Sequence, residues 1–425
     1  MPVIIFVLAL IVFLLFGAPV FTVIGGIGIL GFSSEGSETA LIIAEMYRLA
    51  SQPVLLAVPL FTFAGYLLAE SKTPKRLIEL TQAILGWMPG GLAIVVLAAC
   101  AIFTAFTGGS GVTIVALGGL VYPILISESY SEKFSLGLVT TSGSLGLLFP
   151  PSLPIILYGF FSGVSISKLF LAGIVPGIFL VVVLSAYSIR KGFASKIPRH
   201  RFEWRRVGRA IKAAAWEVPL PFIVIGGIYG GIFTATEAAA VTAFYVLIVE
   251  VFIYRDLKLF SDIPRVMKES MILVGAILMI LATAMGLTSY LIDQQVPQKL
   301  FELISTFITS KTAFLILLNL FLLVIGMMME IFSAIVVVPL IIPVAKQYGI
   351  DPVHLGIIFL ANLELGYLMP PVGLNLLISS FRFNKSVGKV ALATLPFIAV
   401  LLVALLIITY VPELSLGLLR LLGVQ

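Results

Sequence analysis

Charge is scarce in this chain, and cysteine and histidine are nearly absent. Of its 425 residues only 11% are Asp, Glu, Lys or Arg, whereas 60% are hydrophobic. With a mean hydropathy of +1.18 there are too few polar groups to cover a water-soluble globule, so the chain reads as a polytopic membrane protein. The one cysteine, Cys100, lies in an apolar run without a partner, which excludes an internal disulfide and a thiolate metal cluster. His200 and His354 lie in or beside loops with no paired ligands, so a metal site on them is not expected. No Walker motif, nucleophile elbow or HExxH is present, leaving ATPase or hydrolase activity without a carrier and implying no cofactor. The stretch from Met1 to Leu30 lacks a basic n-region and an A-x-A-like cleavage site and is longer than a signal-peptide core. It reads as a retained first span.

What is present is punctuation inside long apolar runs. LGLLFPP at Leu145–Pro151 and LGYLMPP at Leu365–Pro371 each place a glycine and a Pro-Pro pair where a membrane helix would otherwise be continuous. Proline removes a backbone donor and clashes with the preceding turn, so each marks a broken span. The pattern repeats at an offset of 220 residues, matching Pro123 with Pro343, Gly146 with Gly366, Pro150 and Pro151 with Pro370 and Pro371, and Pro176 with Pro396. At an offset of 223, Pro74, Leu77, Glu79 and Leu80 match Pro297, Leu300, Glu302 and Leu303. Duplicated broken helices in a membrane protein point to a transporter site.

The remaining expected elements follow from apolar run length. Spans are expected near Val3–Leu30, Pro53–Ala69, Leu169–Ile189, Val218–Phe233, Glu237–Tyr254, Met271–Leu291 and Val390–Val411, with broken spans near Ser131–Gly163 and Val353–Phe381. An acidic connector carries Glu35, Glu38 and Glu45, and Pro297–Ile308 reads as amphipathic. Gly91–Phe106 with Val112–Ile126, and Ala313–Met329 with Ile331–Ala345, are runs of about 15 residues, short of the roughly 20 that span a bilayer. Each pair is therefore expected to enter and leave on one side as a re-entrant hairpin, the first tip being Thr107–Gly111 and the second lying near Glu330. The fold class expected is all-α and polytopic: an inverted repeat with two re-entrant hairpins and two broken helices, as in an ion transporter. The corresponding division is 1–90 for N-terminal scaffold spans and an amphipathic helix, 91–190 for the first transport repeat, 191–310 for a basic connector and central scaffold spans, and 311–425 for the second, inverted repeat.

Charge sets the orientation. Nine Lys or Arg residues lie between Arg190 and Lys212, interleaved with Phe202 and Trp204, as in a cytoplasmic connector resting on lipid headgroups. Its position between two spans argues against nucleic-acid binding. With both hairpins re-entrant, 20 of the 26 basic residues fall inside, placing the N-terminus in the cytoplasm and the C-terminus on the outer, periplasmic side.

Breaking a helix at mid-membrane depth frees carbonyl oxygens that a dehydrated cation can satisfy, while a half-helix N-terminus can hold an anion. One sodium-type site is expected from Thr107, Gly109, Gly146, Phe149 and Pro151, and a symmetric one from Glu330, Ser333, Gly366, Met369 and Pro371. The competing reading is that Pro-Pro only kinks each span; two matched copies beside two hairpins favour ion sites. Ser110, Thr141, Ser144, Asn362 and Asn375 are expected to meet the substrate. Glu330 and Glu364 read equally as cation ligands, proton carriers or hydrogen-bonding residues of the bundle. Glu237 in FTATEAAA reads as a helix-capping carboxylate.

GAPVF at Gly17–Phe21, PLFTFAG at Pro59–Gly65, FTAFTGGSGVT, LGLLFPPSLP, GIFTATEAAAV at Gly231–Val241 and LGYLMPPVG together resemble the large membrane subunit (DctM type, M subunit) of the TRAP transporters, the tripartite ATP-independent periplasmic family. The resemblance covers essentially the whole chain. It implies a sodium-coupled, elevator-type importer in the bacterial inner membrane, served by an extracytoplasmic substrate-binding protein (P type) and a small four-span subunit (Q type) on a separate chain. It also implies a small organic acid as substrate, such as a C4-dicarboxylate or a sialic acid. The first tip, T-G-G-S at Thr107–Ser110, departs from the usual S-G-S-S. A stand-alone divalent-anion/sodium symporter is the alternative, and a membrane scaffold without transport would have no use for two inverted, unwound helices.

Overall fold

The computed structural model describes residues 18–34, 39–88, 90–194 and 202–424. The beginning of the expected first span, Glu35 and Glu38, and the central part of the basic connector with His200 lie outside them. Among the described residues the chain is helical throughout, without strands.

The first elements are α1 (Val20–Ser34), α2 (Ala40–Ala50), α3 (Ala57–Glu70, entered through a 3₁₀ turn at Pro53–Leu56) and the amphipathic α4 (Thr73–Leu85). The first hairpin is α5 (Gly91–Thr107) and α6 (Ser110–Ser127). The first broken span is α7 (Glu132–Ser142), a 3₁₀ turn at Leu145–Leu148 and α8 (Leu153–Ser162), bent by 45°. After α9 (Ile166–Ala194) come α10 (Trp204–Ala213), α11 (Pro219–Tyr229), α12 (Ala235–Ile253), α13 (Asp262–Asp293) and the second amphipathic helix α14 (Val296–Phe307). The second hairpin is α15 (Lys311–Met328) and α16 (Ile331–Gln347), the second broken span α17 (Pro352–Gly366) and α18 (Leu374–Phe383), and α19 (Val387–Tyr410) and α20 (Glu413–Leu421) close the chain.

Four expectations need correction. The connector expected after the first span contains α2, whose Ile42 and Leu49 are buried, and a short helix, α20, follows the last span. The run Val218–Phe233 yields only the 11-residue α11, because Gly231 takes a left-handed φ of +69° and ends it; at 1.5 Å per residue it rises about 16 Å and cannot cross alone. The span expected at Met271–Leu291 extends back to Asp262, whose carboxylate accepts the Lys258 backbone N–H at 2.8 Å, so Arg265 and Lys268 lie on α13 and not in a loop. The hairpin limbs are also a little longer than about 15 residues, at 17 or 18 each.

Both hairpins are nevertheless re-entrant, because their ends meet on one face. Gly90, which opens the first, lies against Ser188 near the end of α9, and α6 turns at Ser127 into α7, where Glu132 pairs with Lys385. In the second, the Lys311 ammonium that starts α15 donates to the Gly349 carbonyl just after α16, at 3.0 Å. The two openings lie on opposite faces: α19 starts two residues after Lys385 and ends at Tyr410, and the carbonyl of its Thr409 is 3.2 Å from the ring of His354. The repeats are thus inverted.

Two groups of helices result. α13 packs on α1, α2 and α3, and α12 on α3. The hairpins and broken spans pack on α9 and α19. Every residue from Val353 to Gly366 is buried, as a helix apolar all round requires when it sits at the centre of the bundle. α4 and α14 lead from the first group into the two hairpins.

Candidate functional site

At the first break, α7 is capped by Ser131 and followed by the 3₁₀ turn; Phe149 is extended, Pro150 and Pro151 form a turn, and the extended Ser152 leads into α8. Among the described residues no backbone N–H reaches the carbonyls of Pro150 or Pro151. The turn is pressed against α5: a Cβ on Gly146 would lie 2.5 Å from Thr104 Cβ and 2.6 Å from the Ala105 nitrogen. The Thr104 hydroxyl joins the pieces, bonding the Gly143 carbonyl at 3.0 Å, the Thr113 hydroxyl at 2.8 Å and the Cys100 carbonyl at 2.7 Å. Gly108, with φ +65°, lies so close over Leu153 that a Cβ would come within 2.7 Å. The first tip therefore caps the N-terminal end of α8, and Thr107, Gly109, Gly146, Phe149 and Pro151 belong to one junction.

The second break repeats the contact with other groups. Asp351 caps α17, accepting from Val353 and His354. A Cβ on Gly366 would lie 2.6 Å from Gly326 Cα on α15. The Gly373 N–H donates to the Met327 carbonyl at 3.1 Å, and the Ile331 N–H donates to the Tyr367 hydroxyl at 2.6 Å. Tyr367 thus ties the tip holding Glu330 and Ser333 to the break holding Gly366, Met369 and Pro371. Its signal in the sequence is that, comparing LGLLFPP with LGYLMPP, this is the single position gaining a polar group.

The repeats also touch each other. Asn375 donates to the Thr140 carbonyl at 3.3 Å, the Thr140 hydroxyl donates to Ser379 at 2.9 Å, and the Leu148 N–H of the first break faces the Glu364 carboxyl of the second. Asn362 donates to Asn319 at 2.7 Å. Thr141 and Ser144 are buried within the first broken span. Buried polar atoms without a partner concentrate here: Thr141 Oγ1, Ser152 Oγ, Asn362 Oδ1, Glu364 Oε1 and Asn375 Oδ1. Such orphans are uncommon in folded proteins, and an ordered water or an ion is among the things that satisfy them.

A cavity of about 810 Å³ lies where the two groups of helices meet. Thr107 to Val112 of the first tip and Glu330 to Phe332 of the second line one side, with Tyr367, Leu374, Ile378 and Arg382; Thr62, Tyr66, Leu273 and Ile277 line the other, and Glu70, Lys72 and Lys75 stand at its mouth. Of the five polar residues expected to meet substrate, Ser110 lines it. Thr141, Ser144, Asn362 and Asn375 do not; on α18 the face of Leu374, Ile378 and Arg382 looks into the cavity, and Asn375 and Ser379 look into the first repeat.

At the ends of the spans, among the described residues, a charge cluster surrounds Arg76 on α4. Its guanidinium meets Glu217, Glu250 at 3.1 Å and Asp256 at 2.5 Å, and stacks 3.9 Å from the Tyr254 ring centroid. Burial opposes the Asp256 carboxylate, and the bonds from Arg76 and Lys72 outweigh it, holding its pKa below 3.8. Glu237 does form a capping box with Thr234, and His354 bonds Ser415 and the Thr409 carbonyl, with no cluster of metal-ligating side chains among the described residues.

Inverted hairpins, broken helices beside their tips and a shared cavity define a helical secondary-transporter fold. The family described as tripartite ATP-independent periplasmic transporter, DctM component, matches residues 7–414, and this chain belongs to it. The chain is 36% identical over 403 residues to the C4-dicarboxylate TRAP transporter large permease protein DctM of Pseudomonas aeruginosa, covering 94% of each. It is 35% identical over 413 residues to the isethionate TRAP transporter permease protein DctMQ of Oleidesulfovibrio alaskensis, covering 94% of this chain and 64% of that one. The solved YdaH transporter of Alcanivorax borkumensis shares the fold, with a TM-score of 0.63 at 14% identity over 91% of this chain and 88% of that one. The protein is a multi-pass membrane permease of a bacterial transporter family, not an enzyme.

Proposed function

We propose that this chain is the large permease of a sodium-coupled, binding-protein-dependent importer of a small organic acid, a C4-dicarboxylate or a sialic acid-like carboxylate. The observation carrying this reading is that one cavity is bounded by both hairpin tips on one side and by α3 and α13 on the other. Moving the hairpins and broken spans as a body against α1–α3 and α11–α13 would carry that cavity across the membrane, which is the elevator mechanism. The basic face, where Lys72 and Lys75 flank the mouth, is the cytoplasmic one, and the conformation is open inward.

Thr107, Gly109, Gly146, Phe149 and Pro151 hold one sodium ion, and Glu330, Ser333, Gly366, Met369 and Pro371 hold the second. The donors fit: they are oxygens, as a hard cation requires, the Pro150 and Pro151 carbonyls at the first break receive no backbone N–H among the described residues, and orphaned oxygens lie close by. Bound sodium would supply positive charge at the breaks, and the chain's oxygens would coordinate it and order the tips around it. Family membership supports a small membrane subunit and an extracytoplasmic binding protein as partners.

Proteoliposomes holding both membrane subunits, supplied with the binding protein and succinate, test the reading. Uptake should rise with an inward sodium gradient and require the binding protein. Uptake indifferent to sodium rejects ion coupling as proposed, and full uptake without the binding protein favours the stand-alone symporter.

A further inference from the structure

We propose that Arg382 is the substrate's anion receptor in the inward-facing cavity, binding its carboxylate or sulfonate. The inference rests on the reading of the chain as an organic-acid permease and adds the group that recognises the acid.

Three observations carry it. The first is placement: Leu374, Ile378 and Arg382 recur every four residues on α18, so all three face the cavity, and Arg382 lies on the way from the tips to the basic mouth. The second is its state of pairing. Among the cations lining the cavity, Lys72 pairs with Asp256 at 3.1 Å and Lys75 lies 4.0 Å from Glu79. Arg382 has no carboxylate partner among the described residues, and of the lining carboxylates Glu70 is taken by Arg265 at 2.7 Å.

The third is that the guanidinium is held in place without being used up. Its Nε donates to the Val115 carbonyl on α6 at 3.1 Å, in the stretch Ile114–Gly118 where the helix widens to π geometry. Its Nε/Nη2 edge lies against Gly119, where a Cβ would overlap Nη2 and lie 2.7 Å from the guanidinium carbon. One donor orients the fork, and the two terminal nitrogens make no hydrogen bond among the described residues, leaving them to a bidentate anion. The Thr107 and Ser110 hydroxyls and the Tyr66 ring line the rest of the space.

A purified complex of this chain with the small membrane subunit in nanodiscs gives the test, with succinate and isethionate as probes and calorimetry and thermal stabilisation as readouts. Wild type should bind at least one probe, more weakly as choline chloride is raised. Arg382→Gln keeps a donor for the Val115 carbonyl and loses the charge, so it should weaken binding about 10- to 100-fold and flatten the salt dependence. Arg382→Lys should fall between, having lost the fork. Gly119→Ala keeps the charge and displaces the guanidinium, and should weaken binding in the same direction without altering the unliganded melting temperature. Arg382→Gln binding within about twofold of wild type overturns the inference while leaving the organic-acid reading intact. Wild type binding neither probe, nor any other small organic acid offered, overturns that reading and this inference with it.

Discussion

The two repeats keep one contact and differ in nearly everything built around it. Gly146 and Gly366 occupy matched positions, and each lies against the first limb of its own hairpin with no room for a methyl group. Around that contact the first repeat is held by hydroxyls, Thr104 bridging Gly143, Thr113 and Cys100, with a glycine tip. The second is held by a tyrosine and backbone bonds, and its tip carries a carboxylate, Glu330. The connecting helices differ as much. Arg76 fixes α4 to three carboxylates of the scaffold side, whereas α14 makes exposed contacts such as Gln298 with Glu302 and Gln347. Duplication preserves what close packing demands and lets the polar chemistry diverge, because a backbone contact admits only glycine while a tether can be made many ways.

Arg76→Ala should do most to erase the asymmetry of the connecting helices, since it strands buried carboxylates; a loss of about 3–5 kcal/mol is expected in reversible unfolding of the purified protein. Glu302→Ala on α14 should cost near zero, and similar losses in the two would dissolve the distinction. The same cluster gives a pH signature. A carboxylate with a depressed folded pKa contributes stability fully above its unfolded value, about 4, and loses it as pH falls through the folded one. Asp256→Asn should therefore flatten the decline of melting temperature below about pH 4.

Next in size are Gly146→Ala and Gly366→Ala, each expected to cost about 1–3 kcal/mol or more by driving a methyl group into backbone. Tolerance of alanine in one repeat alone would show that its break is free to move off its hairpin. Tyr367→Phe leaves the buried Ile331 N–H unpaired and should cost about 1–3 kcal/mol; Thr104→Val removes a hydroxyl from a network with other members and should cost about 1 kcal/mol. If the two sodium sites are as proposed, sodium-dependent thermal stabilisation should fall in Glu330→Gln and be unchanged in Ser34→Ala, whose hydroxyl only bonds its own helix at 2.7 Å.

Much of the fold could be read in advance because proline and glycine act locally. The Pro-Pro pairs and their spacing disclosed the breaks, the duplication and the hairpins between them. Helix ends were harder, since the start of α13 at Asp262 is marked by one bond from the Lys258 N–H in the preceding loop and the truncation of α11 by one left-handed glycine. The junction residues were legible as groups and Tyr367 showed only as the one polar gain between the two motifs, while Thr104 and Arg382 were not legible, their partners lying far away in sequence or on another helix. Asn375 shows the limit most clearly: its polarity marked it for the substrate, and the rotation of α18 turns it toward Thr140.

Composition and punctuation alone determined that this chain crosses a membrane several times, is duplicated and unwinds twice, because hydration of apolar surface and the missing proline N–H apply wherever those residues fall. Tertiary structure decided which polar groups face the cavity and which are consumed in joining the repeats, since that depends on how each half-helix is turned about its axis when it docks.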